Sequence, residues 1–305
     1  LKGANAGIPG SGSRGPESIV DAQVTVKEVA FTVSASDVTI DGFKTVNAYR
    51  GVLVTTAATE NIVIENCIIT DLGGGAYAHG IFIGPSGDGS FAGLRIENNS
   101  ISLGCDPTNT ACPQNNHGIS IGHSSVTKST SCPGAVISGN EIMGVCYALD
   151  LLWANGEEGN KIIISGNYMH DLQTTTTQGA TNGIGVIGSG HVAIDHNVFD
   201  SMPEGSAVSV SNWQDKGGIL EDVTIESNDI TNNEQGIGIG GVDWEFLWGE
   251  GNYIRCNNIV GNTYGVGTSE TGGNIIDATY NWWGADDGPS GVGPGSGDYV
   301  YGNVD

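Results

Sequence analysis

Basic residues are scarce in this chain of 305: ten Lys and Arg stand against 34 Asp and Glu, a formal net charge of −24. A field of that sign repels nucleic-acid phosphates and anionic membrane surfaces. Both drop out as partners, and divalent cations, neutral glycans and basic surfaces remain. The ten cations are also scattered from Lys2 to Arg255. No loop therefore gathers the positive charge that a uronate lyase needs for its substrate carboxylate. Long apolar runs are missing as well: no stretch reaches the roughly 20 apolar residues of a membrane-spanning helix. The chain has no C-x-x-C pair, EF-hand spacing, nonapeptide calcium repeat or G-x-S-x-G elbow. No signal peptide opens it, and it begins at Leu1 rather than Met, so it reads as a processed or excised piece.

What the chain does have is glycine, 50 residues of it, together with short β-branched runs. Collagen is excluded because the glycines follow no three-residue period. One phrase recurs instead: NIVIENCII from Asn61, LRIENNSI from Leu94, AVISGNEI from Ala135, IIISGNYM from Ile162, HVAIDHNVF from His191, VTIESNDI from Val223 and YIRCNNI from Tyr253. Aligned on Ile-x-x-Asn-x-Ile, the copies put Asn99, Asn140, Asn167, Asn197, Asn228 and Asn257 at one position, with Phe43 and Cys67 before them and Asn281 after. A second phrase follows each first one, as in GVLV at Gly51, GIFI at Gly80, GISI at Gly118 and ALDL at Ala148. Both alternate apolar with small or polar residues, the period-two mark of a strand with one buried face.

A fixed phrase on a variable period describes coils of constant cross-section with loops of different length. The expectation is an all-β parallel β-helix, a solenoid of about nine coils with three short strands per coil, in a single domain over 1–305. At a rise of about 4.8 Å it would be a rod of about 43 Å. The recurring Asn is expected to hold the left-handed corner conformation and to bond its counterpart one coil away. Ile40, Ile64, Ile96, Ile137, Ile164, Ile194, Ile225 and Ile254 should stack beside it in the interior.

With these repeats the chain resembles the right-handed single-stranded parallel β-helix proteins of the pectate-lyase-like superfold. The opening LKGANAGIPG and the closing YNWWGADDGPSG resemble the ends of a module found in archaeal and bacterial secreted and cell-surface proteins. The resemblance implies right-handed coiling, which agrees with the handedness of parallel connections. It also implies an extracellular or cell-surface setting, with self-association or neighbouring surface modules as partners.

Six cysteines, four of them between Cys105 and Cys146, point to an oxidising compartment. Two disulfide pairings are open: Cys105 with Cys146 and Cys112 with Cys132, or Cys105 with Cys112 and Cys132 with Cys146. Cys67 and Cys256 should be unpaired. Trp153, Trp213 and Trp244 follow the second phrase on coils of one half of the rod, with Trp248 close by. Exposed indoles beside carboxylates would make a sugar-binding row; capping of loop mini-cores is the alternative. Asp150, Asp215, Asp243 and Glu245 are the carboxylates from which a glycosidase acid pair would be drawn, and none of them reads as buried. His79 and His117 precede the glycines of adjacent second phrases, where a stacked corner ladder is expected in preference to a metal site. No cofactor is expected, although the loop ADDGPSG at Ala285 has the oxygens that Ca²⁺ would take. The function expected is a structural or adhesive surface protein that assembles into a layer, sheath or filament. Its rival is a carbohydrate-binding or carbohydrate-active β-helix, with hydrolysis ahead of elimination.

Overall fold

The computed structural model describes residues 1–23, 27–70, 77–84, 88–102, 116–122, 129–172, 181–202, 204–212, 220–240, 248–269 and 274–305. Its strands form three long parallel sheets. Sheet A has eight strands, from Thr39–Asp41 to Tyr253–Arg255. Sheet B has nine, from Ser18–Asp21 to Asn258–Val260, and sheet C nine, from Val29–Val33 to Tyr264–Thr268. The chain visits A, B and C in turn, and each strand pairs with the strand one coil before and one coil after. This is a parallel β-helix. The first phrase of each repeat supplies the A and B strands and the second supplies C.

Register follows the sequence alignment. Ile40 pairs with Ile64, Ile64 with Ile96, and so on through Ile137, Ile164, Ile194, Ile225 and Ile254, all at most 1% exposed. Burial of each such side chain contributes about 1.5–3 kcal/mol. One apolar core runs from Val33 to Val300, closed at its far end by Ile276, Trp283 and Val300.

Apart from the first, where Gly42 stands alone, each corner between sheets A and B is two residues long, because only a fixed turn keeps two short strands in phase. Its second residue is the recurring Asn. Asn140, for example, accepts from both the backbone N and Nδ2 of Asn99 at 3.0 Å, while its own Nδ2 donates to Ile96 O and Asn167 Oδ1. The same pattern continues through Asn197, Asn228 and Asn257 to Asn281. The left-handed conformation falls elsewhere than the sequence suggested. It belongs to the residue before the ladder: Asn66, Asn98, Gly139, Gly166, His196, Ser227 and Cys256 all have φ between 54° and 66°. The ladder Asn is free of that duty and spends its amide on neighbours. By contrast, every longer connection leads into or out of sheet C, so the variable parts of the chain flank that sheet.

Candidate functional site

The outward positions of sheet C form two rows, fixed by strand register. Arg50, His79, His117, Tyr147, Asn182, Ser206, Gln235 and Tyr264 make one row. Phe82, Ser120, Asp150, Gly185, Ser209, Gly238 and Gly267 make the other. Along the rod the chemistry changes from titratable and aromatic to small and neutral.

In the first half the rings stack like the coils that carry them. His79 lies over His117 with centroids 4.8 Å apart and planes 7° apart, and His117 lies over Tyr147 at 4.9 Å. Phe82 packs on His79 at 4.6 Å, and the Arg50 guanidinium sits 4.4 Å above Phe82. Burial, then the charges of His117 and Arg50, hold His79 well below the usual histidine range, so its ring is neutral. Burial likewise lowers Arg50. Burial, and after it the charge of Asp150, push Tyr147 up to about 12, which keeps the phenol protonated.

Asp150 is where the structure departs most from the sequence reading. It is 2% exposed, and its Oδ2 accepts from His117 Nδ1 at 2.6 Å. Its other oxygen, Oδ1, is buried without a hydrogen-bond partner, as are His79 Nδ1, Arg50 Nε and Ser120 Oγ. Nothing in the sequence around Asp150 marks the carboxylate as buried. It is buried because the next coil offers Gly185, where a Cβ would come within 2.4 Å of Oδ1. The couple fixes the His117 ring with Nδ1 as donor. No metal centre follows from the stack: parallel rings 4.8 Å apart do not aim two nitrogens at one ion, whose bonds to nitrogen measure about 2.0–2.1 Å. Among the described residues no group of three or more His, Cys, Asp or Glu is placed to hold a metal.

In the second half the face opens into a groove of about 330 Å³ lined by Ser206, Ser209, Ser211, Gln235, Ser269 and Tyr301. Its floor is glycine. A Cβ on Gly238 would come within 2.9 Å of Gln235 Oε1, and one on Gly267 within 2.3 Å of the Tyr301 ring. Neither glycine has a positive φ, so space rather than backbone conformation requires them. A chain of bonds ties two successive coils and the C-terminal segment: Ser206 Oγ donates to Gln235 Oε1 at 3.1 Å, and Gln235 Nε2 donates to Tyr301 Oη at 3.3 Å. Tyr301 accepts in that bond, which leaves its own O–H as a donor. Among the described residues, the side chains of Ser209, Ser211 and Ser269 have no hydrogen-bond partner and open on the groove.

The proposed tryptophan row is corrected in two members. Trp153 is 4% exposed, because its left-handed backbone (φ 49°) turns the ring onto Gly188 of the next coil. Trp248 is 6% exposed and belongs to the core. Trp153 thus plugs a corner against Gly188, in line with the capping alternative, while Trp248 packs in the main core. Trp213, Trp244, Asp215, Asp243 and Glu245 lie outside the described residues, as do Cys105 and Cys112. Cys132 is corrected too: it is a free thiol, completely buried, and burial pushes it up to about 12. Its backbone is held at a corner, accepting from Ala135 N and donating to Asn155 O, which turns the side chain into the core. Cys146 is buried. Cys67 is a buried free thiol raised to about 11, and Cys256 an exposed one, as expected.

The sequence reading missed the serine and glutamine groove and a second ladder, from Asn233 through Asn262 to Asp298. A signal for the ladder was present, since Asn233 and Asn262 each stand three residues before the Gly of a second phrase. No protein-family model matches the chain, and no curated protein shows significant similarity to it.

Proposed function

We propose that the protein is a structural and adhesive β-helix of the extracellular space or cell surface that grips a neutral glycan along the outer face of sheet C. The observation that carries this reading is the groove. In a chain of net charge −24, its lining is made of serine hydroxyls, one amide, glycines, one tyrosine and Ile239, with no charged side chain. Such a surface suits a ligand that is polar, uncharged and flat on one side, which describes a pyranose. About 330 Å³ falls at the small end of the ligand-pocket range and fits one or two sugar rings. The resemblance to pectate-lyase-like surface proteins agrees with this reading, and Ca²⁺ on the acidic loops stays part of the proposal.

The test is a neutral-glycan array followed by titration calorimetry on the hits. Ser209→Phe and Gly238→Val should each weaken binding at least tenfold with circular dichroism unchanged. If hits appear and neither substitution affects them, the groove is not the site. A second reading is favoured by the Asp150–His117 couple, which is built like a proton-accepting pair on the same face. In that reading a glycan that reaches two coils beyond the groove is hydrolysed, His117 taking a proton from the attacking water and returning it to the leaving oxygen, and turnover disappears in Asp150→Ala and His117→Ala while groove binding persists.

A further inference from the structure

The two ends of the rod differ in ways that its flank does not. Most of the large apolar side chains exposed among the described residues lie in the first and last segments. Leu1 and Ile19 are 68% and 61% exposed; Ile275, Tyr280, Trp282 and Tyr299 are 62%, 81%, 46% and 45% exposed. The first coil also leaves its core end open. Val20 and Phe31 point inward but are only half-buried, and strands Ser18–Asp21 and Val29–Val33 are the outermost strands of sheets B and C. Charge separates along the same axis. Residues 1–50 hold five basic residues (Lys2, Arg14, Lys27, Lys44, Arg50) and five acidic ones, a balance of zero. Residues 274–305 hold five aspartates and no basic residue, a balance of −5. The remaining 223 residues carry five basic and 24 acidic residues, a balance of −19.

We propose that copies of this chain associate end to end, the first coil of one receiving the C-terminal segment of the next. Side-by-side contact sets the acidic flanks together, joining two C-terminal segments sets −5 against −5, and joining two first coils sets zero against zero and gains no attraction. The first coil against the C-terminal segment is the arrangement that brings exposed Lys2 and Lys27 to exposed Asp286, Asp287 and Asp305 and covers apolar surface on both sides. Such a contact is heterologous: it uses two different patches and does not close a dimer, so it propagates into filaments. The open strand edges of the first coil favour the same outcome, since unpaired edges invite a neighbour. This deepens the structural half of the proposed role and does not depend on the glycan half.

Sedimentation velocity of the purified chain over a wide concentration range should show mass rising without a limiting dimer. Ile19→Asp should stop growth by spoiling one end, and Trp282→Asp or Tyr280→Asp by spoiling the other. These side chains are exposed, so the fold is expected to survive, with circular dichroism as the check. Mixing Ile19→Asp with Trp282→Asp is the decisive arm, because each variant retains one sound end and the mixture should stop at a one-to-one dimer. A wild-type chain that stays monomeric, or a mixture that forms no dimer, overturns the proposal. Glycan binding measured on the monomeric variants keeps a failure of this inference separate from a failure of the groove.

Discussion

The corner between sheets A and B and the outer face of sheet C are built from the same repeat and treat polar groups in opposite ways. At the corner each ladder Asn spends its amide on the next coil and on a carbonyl, so nothing is left over. On the outer face four buried polar atoms have no hydrogen-bond partner and three serine hydroxyls open on a groove. A satisfied network specifies structure, whereas a buried polar atom without a partner is a local cost. The corner is therefore assigned to stability, and the face is where the proposed binding would act.

That assignment breaks first at the corner. Asn167→Ala removes the acceptor for two donors of Asn140 and the donor to Ile137 O and Asn197 Oδ1, all buried. Stability should fall by about 4 kcal/mol, measured by urea denaturation, and a loss under about 1 kcal/mol would mean that the ladder is ornamental. Asp150→Ala should cost about 2 kcal/mol, because His117 Nδ1–H loses its buried acceptor. Asp150→Asn should restore most of that, since an amide oxygen accepts the same bond.

The neutral His79 gives the face a pH signature. Its folded-state pKa lies below the usual value near 6.5, so below that pH the unfolded chain takes up a proton that the folded chain refuses. Stability contributed by this site is thus complete above about pH 6.5 and is lost on acidification, by at most about 1.4 kcal/mol per pH unit. His79→Phe should flatten that part of the curve of melting temperature against pH. The smallest effect on stability is expected for Gly238→Val, about 1 kcal/mol, because Gln235 must swing aside and give up its bonds to Ser206 and Tyr301. Glycan affinity should nonetheless collapse. A variant that lost both stability and binding together would blur the distinction between corner and face.

The corner was legible in the sequence because its physics repeats: Ile-x-x-Asn-x-Ile recurs, and one register explains every copy. Even there the left-handed residue was placed one position late, since Asn is equally at home in the turn and in the ladder, and sequence alone does not say which duty each Asn performs. The face was legible in part: the register of the second phrase placed His79 over His117, but it did not show the groove. Ser209 and Gly238 carry no motif, and their meaning comes from Gln235 and Tyr301 arriving beside them from other coils. Trp153 misled because indoles after a strand look alike whether they stack on a sugar or on Gly188. Asp150 misled because its burial depends on the residue of another coil, 35 positions away in the chain.

Tyr301 has a second consequence. The same C-terminal segment that closes the core with Val300 also supplies the hydroxyl at the end of the Ser206–Gln235 chain. Opening of that segment and emptying of the groove are then one thermodynamic event rather than two. Any ligand that uses Tyr301 latches the segment shut and raises the melting temperature as its concentration grows. Thermal scans against candidate sugars would thus read occupancy of the groove from the opposite end of the same equilibrium, without any label on the ligand.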